Sequence, residues 1–428
     1  MTHIILAATV CGWILTIAFP AYAELTAEVT LGVENAIPIA IVPFGGPQTG
    51  ENLGAIVAAD LSRSGRFKVL PQAQLPERPS TPEQVQFAAW KALGLDNLVI
   101  GQVRQGEAGH YEAQFQLFDA VRGSPLAGTS LSFVTAESRQ TAHRIADMIY
   151  RQLTGEAGAF ATRIAYVTVS PGDGPKDRRY VLQVADADGF NPQNVVKSQE
   201  PIMSPAWSPD GKKLAYVSFE SKRSAIFIQT LANGEREKVS ELPGINGAPA
   251  WSPDGTHIAM TLSKDGNPEI YVLSLSNRAL RRITDHFAID TEPAWSKDGS
   301  QLVFTSDRGG KPQLYLVSST GGQAQRITFE GDYNARGVFS PKGNSLGMVH
   351  GNGGIYRIAV LDLASKQLSV LTPGNLDESP SFAPNGGSLL YALRSGDAGQ
   401  LSVVSIDGKV RETLRIAGGE VREPAWSP

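Results

Sequence analysis

The sequence predicts two domains: a small α/β domain, followed by an all-β six-bladed β-propeller that is closed by the C-terminal strand. Two observations support this fold class. One motif repeats with a period of about 44 residues from residue 205 onward, and residues 1–204 contain no copy of it. The composition, with 42% hydrophobic and 19% charged residues, is that of a folded chain. The predicted divisions are a signal peptide (1–23), a partner-binding strand (24–35), the α/β domain (36–155) and the propeller (156–428).

The first 23 residues have the features of a cleavable secretory signal. Residues 3–19 are apolar and uncharged, and Pro20 and then Ala21-Tyr22-Ala23 follow them. The alternative is a retained membrane anchor, but no basic stop-transfer flank follows. Cleavage would remove Cys11, the single cysteine, so the exported chain would have no disulfide and no thiolate metal site. We therefore expect an exported protein that is not embedded in the membrane after cleavage.

Residues 24–35 alternate apolar and polar side chains, which predicts a β-strand. The strand is either an edge strand of its own domain or a detachable strand that adds to the sheet of another protein. In the second case, the residues that contact the partner are Glu24, Leu25, Ala27, Val29 and Leu31.

Residues 36–155 have the mixed periodicity of a small α/β domain. Apolar runs predict strands at 38–44, 97–103, 111–119 and 130–134, and helical spacing predicts helices at 54–61, 82–93 and 136–153. We expect Phe87, Trp90 and Leu93 on the apolar side of the second helix, and Met148 on that of the third.

The repeated motif predicts the blades of a WD40-like propeller. PAWSPDG or a degenerate copy begins at residues 205, 249, 293, 337 and 380, and PAWSP begins at 424. Each copy precedes further short strand patterns, giving four strands per repeat, and its Pro-Asp-Gly unit predicts a tight turn. The aromatic residues at one position of the motif are Trp207, Trp251, Trp295, Phe339, Phe382 and Trp426, and we expect them to pack between blades.

The ends of the repeat array predict how the ring closes. Three strand patterns, at 164–168, 180–186 and 194–198, precede the first motif copy, and the last copy can supply the missing fourth strand. Six blades would then close without exposed sheet edges. Trp426 would be buried between blades, and its truncation would cost about 3–5 kcal/mol.

Several classes of function are disfavoured by the sequence. A formal net charge of −4, without a run of like charges, argues against nucleic-acid binding. Residues 343–347 (GNSLG) fit the pattern of a hydrolase nucleophile, but Ser345 lies in the turn of a motif copy rather than between a strand and a helix. The histidines lack zinc-ligand spacing. We therefore predict a protein that is not an enzyme and has no cofactor.

The residues before each P-A-W triplet are predicted to be loops that meet at one mouth of the propeller channel. They differ between blades while the motif stays constant, as asymmetric recognition of a partner requires. Several carboxylates at one mouth could also hold Ca²⁺ through oxygen ligands. The predicted partner-binding residues are Met203, Ser204, Asn246, Gly247, Ala248, Asp290, Thr291, Glu292, Asn334, Arg336, Asp377, Glu378, Arg422 and Glu423.

The chain resembles the TolB family, the periplasmic component of the Tol–Pal system of Gram-negative bacteria. The resemblance rests on the propeller segments 203–234 and 321–331, on the PAW copies, and on PIAIVPF (38–44), IVAADLSRSGRF (56–67) and AAWKALGLDNLVIGQV (88–103). It implies a monomeric adaptor that binds the lipoprotein Pal at the mouth and TolA through residues 24–35. The family supports outer-membrane integrity and constriction at division, and colicins parasitise some members.

The resemblance places Pal contacts at Ala248 and Thr291, and it suggests an altered contact at Ile245, where relatives have a polar residue. The alternative function is a propeller that binds, or acts on, a small ligand, glycan or peptide through its channel.

Overall fold

The computed structural model describes residues 36–172, 174, 177–395, 398–414, 416 and 419–428. The predicted signal peptide and the 24–35 strand lie outside the described residues. The predicted fold class is confirmed, because a small α/β domain precedes six four-stranded sheets. Among the helices that the structure describes, none is both long and apolar enough to cross a membrane.

The α/β domain has one five-stranded sheet in the order β2-β1-β3-β4-β5. β1 pairs in parallel with β2 and β3, and the remaining pairs are antiparallel. The strands are β1 (Ile37–Ile41), β2 (Phe67–Val69), β3 (Asn97–Gln105), β4 (His110–Asp119) and β5 (Ser124–Val134). The helices are α1 (Leu53–Arg63), α2 (Phe87–Ala92) and α3 (Ser138–Thr154), with 3-10 turns at Gln72–Gln74, Pro82–Gln84 and Thr135–Glu137.

Apolar side chains cover both faces of this sheet. Residues of α1 and α3, such as Leu61 and Ile145, pack with Phe115 on one face. Trp90 of α2 is fully buried on the other face, where its indole N–H donates to Glu77 Oε1 at 2.7 Å. The two-sided burial explains why β1 and the first half of β3 consist of continuous apolar runs.

Three local predictions in this domain were wrong. The helix predicted over 82–93 is interrupted, because Val85 is extended after the 3-10 turn, and Leu93 is left exposed. Met148 of α3 is also exposed, while its neighbours Ile145 and Ile149 are buried. The three-residue strand β2 was not predicted, since so short a segment gives no clear periodicity.

The propeller has six blades, which are written here from the inner to the outer strand. Blade 1 contains β29 (Glu420–Trp426), β6 (Arg163–Pro171), β7 (Arg178–Asp186) and β8 (Gln193–Ser198). Blade 2 contains β9 (Ile202–Trp207), β10 (Lys213–Ser218), β11 (Ala225–Thr230) and β12 (Arg236–Ser240). Blade 3 contains β13 (Asn246–Trp251), β14 (His257–Leu262), β15 (Glu269–Ser274) and β16 (Leu280–Arg282).

The other three blades follow the same plan. Blade 4 contains β17 (Asp290–Trp295), β18 (Gln301–Ser306), β19 (Gln313–Ser318) and β20 (Gln325–Arg326). Blade 5 contains β21 (Tyr333–Phe339), β22 (Ser345–Asn352), β23 (Ile355–Asp362) and β24 (Leu368–Val370). Blade 6 contains β25 (Asp377–Phe382), β26 (Ser388–Ser395), β27 (Ala398–Ser405) and β28 (Arg411–Leu414).

The predicted closure of the ring is confirmed. β29 pairs antiparallel with β6, so the last strand of the chain completes the first blade of the propeller. Beyond the strand, the Arg163 and Ser427 backbones continue the pairing, with Ser427 N donating to Arg163 O at 2.8 Å. Because each inner strand packs against the next blade, all six sheets share one continuous series of interfaces.

The tryptophans of the motif connect neighbouring blades, as predicted. Three indole N–H groups donate to an alanine carbonyl of the preceding inner strand: Trp207 to Ala425 O at 3.0 Å, Trp251 to Ala206 O at 3.2 Å, and Trp295 to Ala250 O at 3.1 Å. The first of these bonds crosses the closure, since Ala425 lies on β29. The aromatic residues therefore hold adjacent inner strands in register in addition to filling space.

Trp426 packs between two blades as predicted, but it is half-buried, as Trp251 and Trp295 also are. One side of its indole packs against the core between blades 6 and 1, and Nε1 donates to Thr162 Oγ1 at 2.8 Å. The other side borders a cavity between the two domains instead of another blade. Because the α/β domain is attached beside β29, the closing tryptophan has a different neighbour from the other five aromatic residues.

Candidate functional site

The six inner strands run side by side around the channel, and each contains the same backbone irregularity. The residue before the Pro-Ala-Trp triplet has a positive φ, and the pairing register with the next strand shifts at that point. Such a shift marks a β-bulge, and a positive φ is uncommon for residues other than glycine. These residues, here called the channel ring, are Ser204, Ala248, Glu292, Arg336, Ser379 and Glu423, with φ between 46° and 56°.

The channel ring and the residues that follow it line a cavity of about 570 Å³ on the channel axis. The prediction that these positions form loops was wrong, because they belong to the inner strands. Asn, Asp and Gly before each motif copy predict a turn, because these residues are common in turns. A β-bulge accommodates the same residue types without ending the strand.

The residue two positions before each channel-ring member is buried in every blade. Of the predicted partner-binding residues, Asn246, Asp290, Asn334 and Asp377 occupy this position, and each is at most 3% exposed. Their side chains bond within the protein: Asn246 Oδ1 accepts from Ser240 Oγ at 2.6 Å, and Asp290 pairs with Arg308 at 2.6 Å. These four side chains anchor the blade-to-blade connections and do not face a partner.

The other predicted residues remain accessible to different degrees. Met203, Glu378 and Arg422 are exposed, and Ser204, Gly247, Ala248, Thr291, Glu292, Arg336 and Glu423 are half-buried. The structure thus brings ten of the fourteen predicted residues to the channel and its mouth, which is the end where the inner strands begin.

Sequence reasoning missed an apolar rim at this mouth. Ile245, Ile289 and Leu376 each precede a buried position and are 47–49% exposed, and Phe287 is 86% exposed. Exposed apolar side chains gathered at one rim are typical of protein-binding surfaces. The signal was visible in the sequence, since these apolar residues interrupt otherwise polar connections.

An arginine occupies the centre of the channel ring. Arg336 Nε donates to Glu292 Oε1 at 2.8 Å, Nη2 donates to Glu423 Oε2 at 3.0 Å, and Nη1 contacts Ser379 Oγ. One side chain thereby joins the inner strands of blades 4, 5, 6 and 1. Burial alone would lower the pKa of Arg336, but the carboxylates of Glu423 and Glu292 outweigh burial and raise the pKa.

The channel ring is a poor fit for the Ca²⁺ considered from the sequence. Both of its carboxylates, Glu292 and Glu423, already pair with the Arg336 guanidinium. A hard cation prefers six to eight oxygen ligands and would have to displace this internal cation. We therefore assign no metal to the channel.

The opposite end of the channel contacts the α/β domain. β29 ends there at Trp426, and so does β7, whose connection to β8 carries Asp188. A cavity of about 970 Å³ opens between the domains, with Tyr150, Phe160 and Trp426 among its lining residues. The mouth with the apolar rim is therefore the end that faces away from the α/β domain.

A buried cluster of charged residues links the domains at this end, and no sequence signal pointed to it. His143 of α3 bonds Asp60 of α1 through Nδ1 at 2.7 Å, and Arg139 pairs with Asp188 of blade 1 at 2.5 Å. Arg63 of α1 lies 3.5 Å from Glu412 of blade 6. A His within the apolar face of α3 was the only hint in the sequence.

This interdomain cluster contains three side chains that could in principle hold a metal. The ligand atoms of Asp60, His143 and Asp188 lie within 4.8 Å of one another. However, Arg63 and Arg139 already supply positive charge to the same carboxylates. The cluster is therefore better described as an ion-pair network than as a metal site.

Ser345, the one match to a hydrolase pattern, begins strand β22 after a turn. Its neighbours are strands of blade 5, so the strand-to-helix elbow that a hydrolase nucleophile needs is not built here. Among the residues that the structure describes, the candidate functional features are the exposed mouth, the channel ring and the interdomain cluster of ion pairs. The fold and site thus define a closed propeller scaffold with an attached α/β domain and an exposed mouth.

Comparisons with known proteins identify the family. The model of the TolB amino-terminal domain matches residues 25–126, and that of the TolB beta propeller domain matches residues 150–428. The Tol-Pal system protein TolB of Methylococcus capsulatus is 70% identical over 407 residues, 95% of each chain. That of Nitrosococcus oceani is 63% identical over 95% of this chain and 94% of its own length.

A solved structure agrees with the sequence relatives. The crystal structure of TolB from Acinetobacter baumannii superposes with a TM-score of 0.87 and 44% identity, covering 95% of this chain and all of that one. The chain belongs to the TolB family of Tol–Pal system proteins.

Proposed function

We propose that this protein is a non-enzymatic periplasmic adaptor of the Tol–Pal system. In this proposal the propeller mouth binds the lipoprotein Pal, and residues 24–35 bind TolA. Through these contacts the protein supports outer-membrane integrity and constriction during division. Membership of the TolB family supports the assignment to the Tol–Pal system, and the named partners and cellular roles are the part that is proposed.

The observation that supports Pal binding at the mouth is that the mouth varies between blades while the motif is repeated. The motif repeats the same core residues in the blades, whereas the accessible residues at the mouth differ from one blade to the next. Exposed apolar side chains, including Phe287, gather at this mouth, and such patches mark protein-binding surfaces. The mouth also faces away from the α/β domain, so a partner can approach it freely.

Two substitutions at the mouth test the Pal assignment. Thr291 and Ala248 are half-buried on neighbouring inner strands, so Thr291→Arg and Ala248→Arg would each place a long cation in the interface. We expect each variant to weaken the affinity for the soluble domain of the cognate Pal at least about tenfold. Thr256→Arg, at an exposed turn of blade 3 near the opposite end, is the control. Wild-type affinity in both mouth variants, with folding intact, would refute the assignment.

Deleting residues 24–35 tests the TolA assignment separately. The deletion should abolish binding of TolA, because the added strand is lost, and leave binding of Pal measurable. If the shortened protein binds TolA as the full-length mature chain does, the strand is not the TolA site.

A further inference from the structure

A second cavity opens at the mouth beside the channel ring. It has a volume of about 930 Å³ and lies between blades 5, 6 and 1. Tyr333 and Tyr356 line this cavity, with ring centroids 5.0 Å apart at an interplanar angle of 85°, and Leu376 lies beside Tyr356, to which its backbone is bridged. Glu378 of β25 lies on the wall of this cavity.

Glu378 differs from the carboxylates around it. Within the described residues its side chain forms no hydrogen bond or ion pair, whereas Glu420 pairs with Arg422 at 2.6 Å and Glu423 pairs with Arg336 at 3.0 Å. The arginines that reach this cavity from β21 and β29 are therefore already neutralised, and Glu378 is left with a charge but without a partner.

Glu378 is exposed on the cavity wall, among side chains of both charges. Partial cover by the wall raises the pKa of Glu378, Arg336 and Arg422 oppose this effect, and the carboxylates of Glu423 and Glu420 add to it. Groups kept in such a position within a cavity are frequent at functional sites, where a ligand supplies the missing charge.

We propose that this cavity is a socket for one Lys or Arg side chain of the protein partner that docks at the mouth. The cationic end pairs with Glu378, and the aliphatic stem lies against Tyr333, Tyr356 and Leu376. This inference rests on the proposed function, since it specifies how the same mouth recognises its partner.

Glu378 and the tyrosine rings favour a cation as occupant. Glu420 and Glu423 are paired with Arg422 and Arg336, whereas Glu378 has no such partner among the described residues. Arg394 lies exposed on the same wall and opposes a cation in its vicinity. The preference for a cation therefore rests on Glu378 and on the π faces of Tyr333 and Tyr356.

Glu378→Gln tests the socket, with affinity for the soluble domain of Pal measured at 50 and 300 mM NaCl. We expect the variant to bind about tenfold more weakly at low salt and to show a smaller dependence on salt, because one charge pair is lost. Its midpoint of thermal unfolding should equal or exceed that of the wild type. Glu112→Gln, on the exposed face of β4 in the other domain, is the matched control and should change neither quantity.

The outcomes separate the socket from the proposed function. If the wild type binds Pal and Glu378→Gln binds with equal affinity and salt dependence, the socket is refuted and the mouth assignment stands. A clear fall in the unfolding midpoint of Glu378→Gln would also refute it, since the carboxylate would then be a structural group. Absence of Pal binding by the wild type would refute the proposed function, and the socket with it.

Discussion

The two ends of the channel each contain a buried cluster of charges, and the clusters differ in how completely they are paired. At the channel ring, Glu292, Ser379 and Glu423 all contact the guanidinium of Arg336. In the interdomain cluster, neither carboxylate oxygen of Glu412 has a hydrogen-bond partner, and His143 Nε2 has none either. The channel ring lies inside the closed propeller, whereas the interdomain cluster lies at the junction of the propeller with the α/β domain.

The difference in pairing gives the two clusters different responses to pH. The raised pKa of Arg336 keeps its guanidinium charged at all accessible pH values. Burial raises the pKa of Glu412 to about 7, with Asp188 and Asp60 opposing the favourable effect of Arg63. The central cation of the channel ring therefore keeps its charge, whereas Glu412 at the contact between the domains changes its charge near neutrality.

The largest expected effect comes from removing the central cation of the ring. Arg336→Met would leave Glu292 and Glu423 without their counter-ion in a poorly hydrated channel, and should lower the free energy of unfolding by about 3–5 kcal/mol. Urea titration of the mature protein measures this loss.

Arg236→Met provides the control for that experiment. Arg236 pairs with Glu220 at 2.8 Å on the outer surface of blade 2, and such exposed pairs contribute less than about 1 kcal/mol. Equal stability of the two variants would show that the channel-ring network does not hold the ring closed.

The second prediction concerns the pH dependence of the interdomain cluster. The pKa of Glu412 rises from its ordinary value of 4.5 to about 7 in the folded protein. A raised pKa stabilises the fold at low pH, and this contribution disappears as pH rises through 7. His143, whose pKa is also raised because Asp60 and Asp188 outweigh burial and Arg63, acts in the same direction.

We therefore expect the free energy of unfolding to fall by up to about 3 kcal/mol from Glu412 between pH 5 and pH 8. Arg63 and Asp60 on α1 and Asp188 after β7 act on Glu412 directly. Arg139 and His143 on α3 and Asp186 in β7 complete the cluster through their contacts with one another and with Asp188. Urea titrations across this range measure the slope, and Glu412→Gln, which stays neutral, should flatten it. An unchanged slope in the variant would show that Glu412 does not titrate in this range.

The smallest expected effect on stability comes from Thr162, which lies between the α/β domain and the first propeller strand. Thr162→Val removes the acceptor of the Trp426 indole N–H and the donor of the bond to Ala159 O, and should lower the free energy of unfolding by about 1–2 kcal/mol, since each hydrogen bond contributes about 1 kcal/mol. Thr320→Val, at a surface turn of blade 4, is the control. If Thr162→Val lowered the free energy of unfolding as much as Arg336→Met does, the contact between Thr162 and Trp426 would stabilise the closed ring as strongly as the channel ring does.

The fold was predictable because its information is repeated along the chain. Six copies of one motif, the first five with a Pro-Asp-Gly type turn, define the blades, and the three strand patterns ahead of the first copy indicate how the ring closes. The helix break at Val85 and the half-exposure of Trp426 were not predictable, because they depend on contacts between segments distant in sequence.

The candidate site was only partly predictable, for a related reason. The variable positions before each motif point to the mouth, but residue type alone does not separate the buried Asn246 and Asp290 from the accessible Thr291 and Glu378. That distinction arises from the β-bulge, which turns alternate side chains toward the core or the channel. The interdomain cluster joins residues from four separate elements, so no local pattern could reveal it.

The position of β29 in chain order has a consequence for biosynthesis. Trp426 and Thr162 are 264 residues apart, and every other strand is translated before their hydrogen bond can form. During vectorial synthesis, blades 2 to 6 can pair internally as they emerge, while β6 waits for its inner neighbour. A ribosome that stalls before residue 420 would release a product with an unpaired β6, and such a product would be a natural substrate for chaperones and proteases.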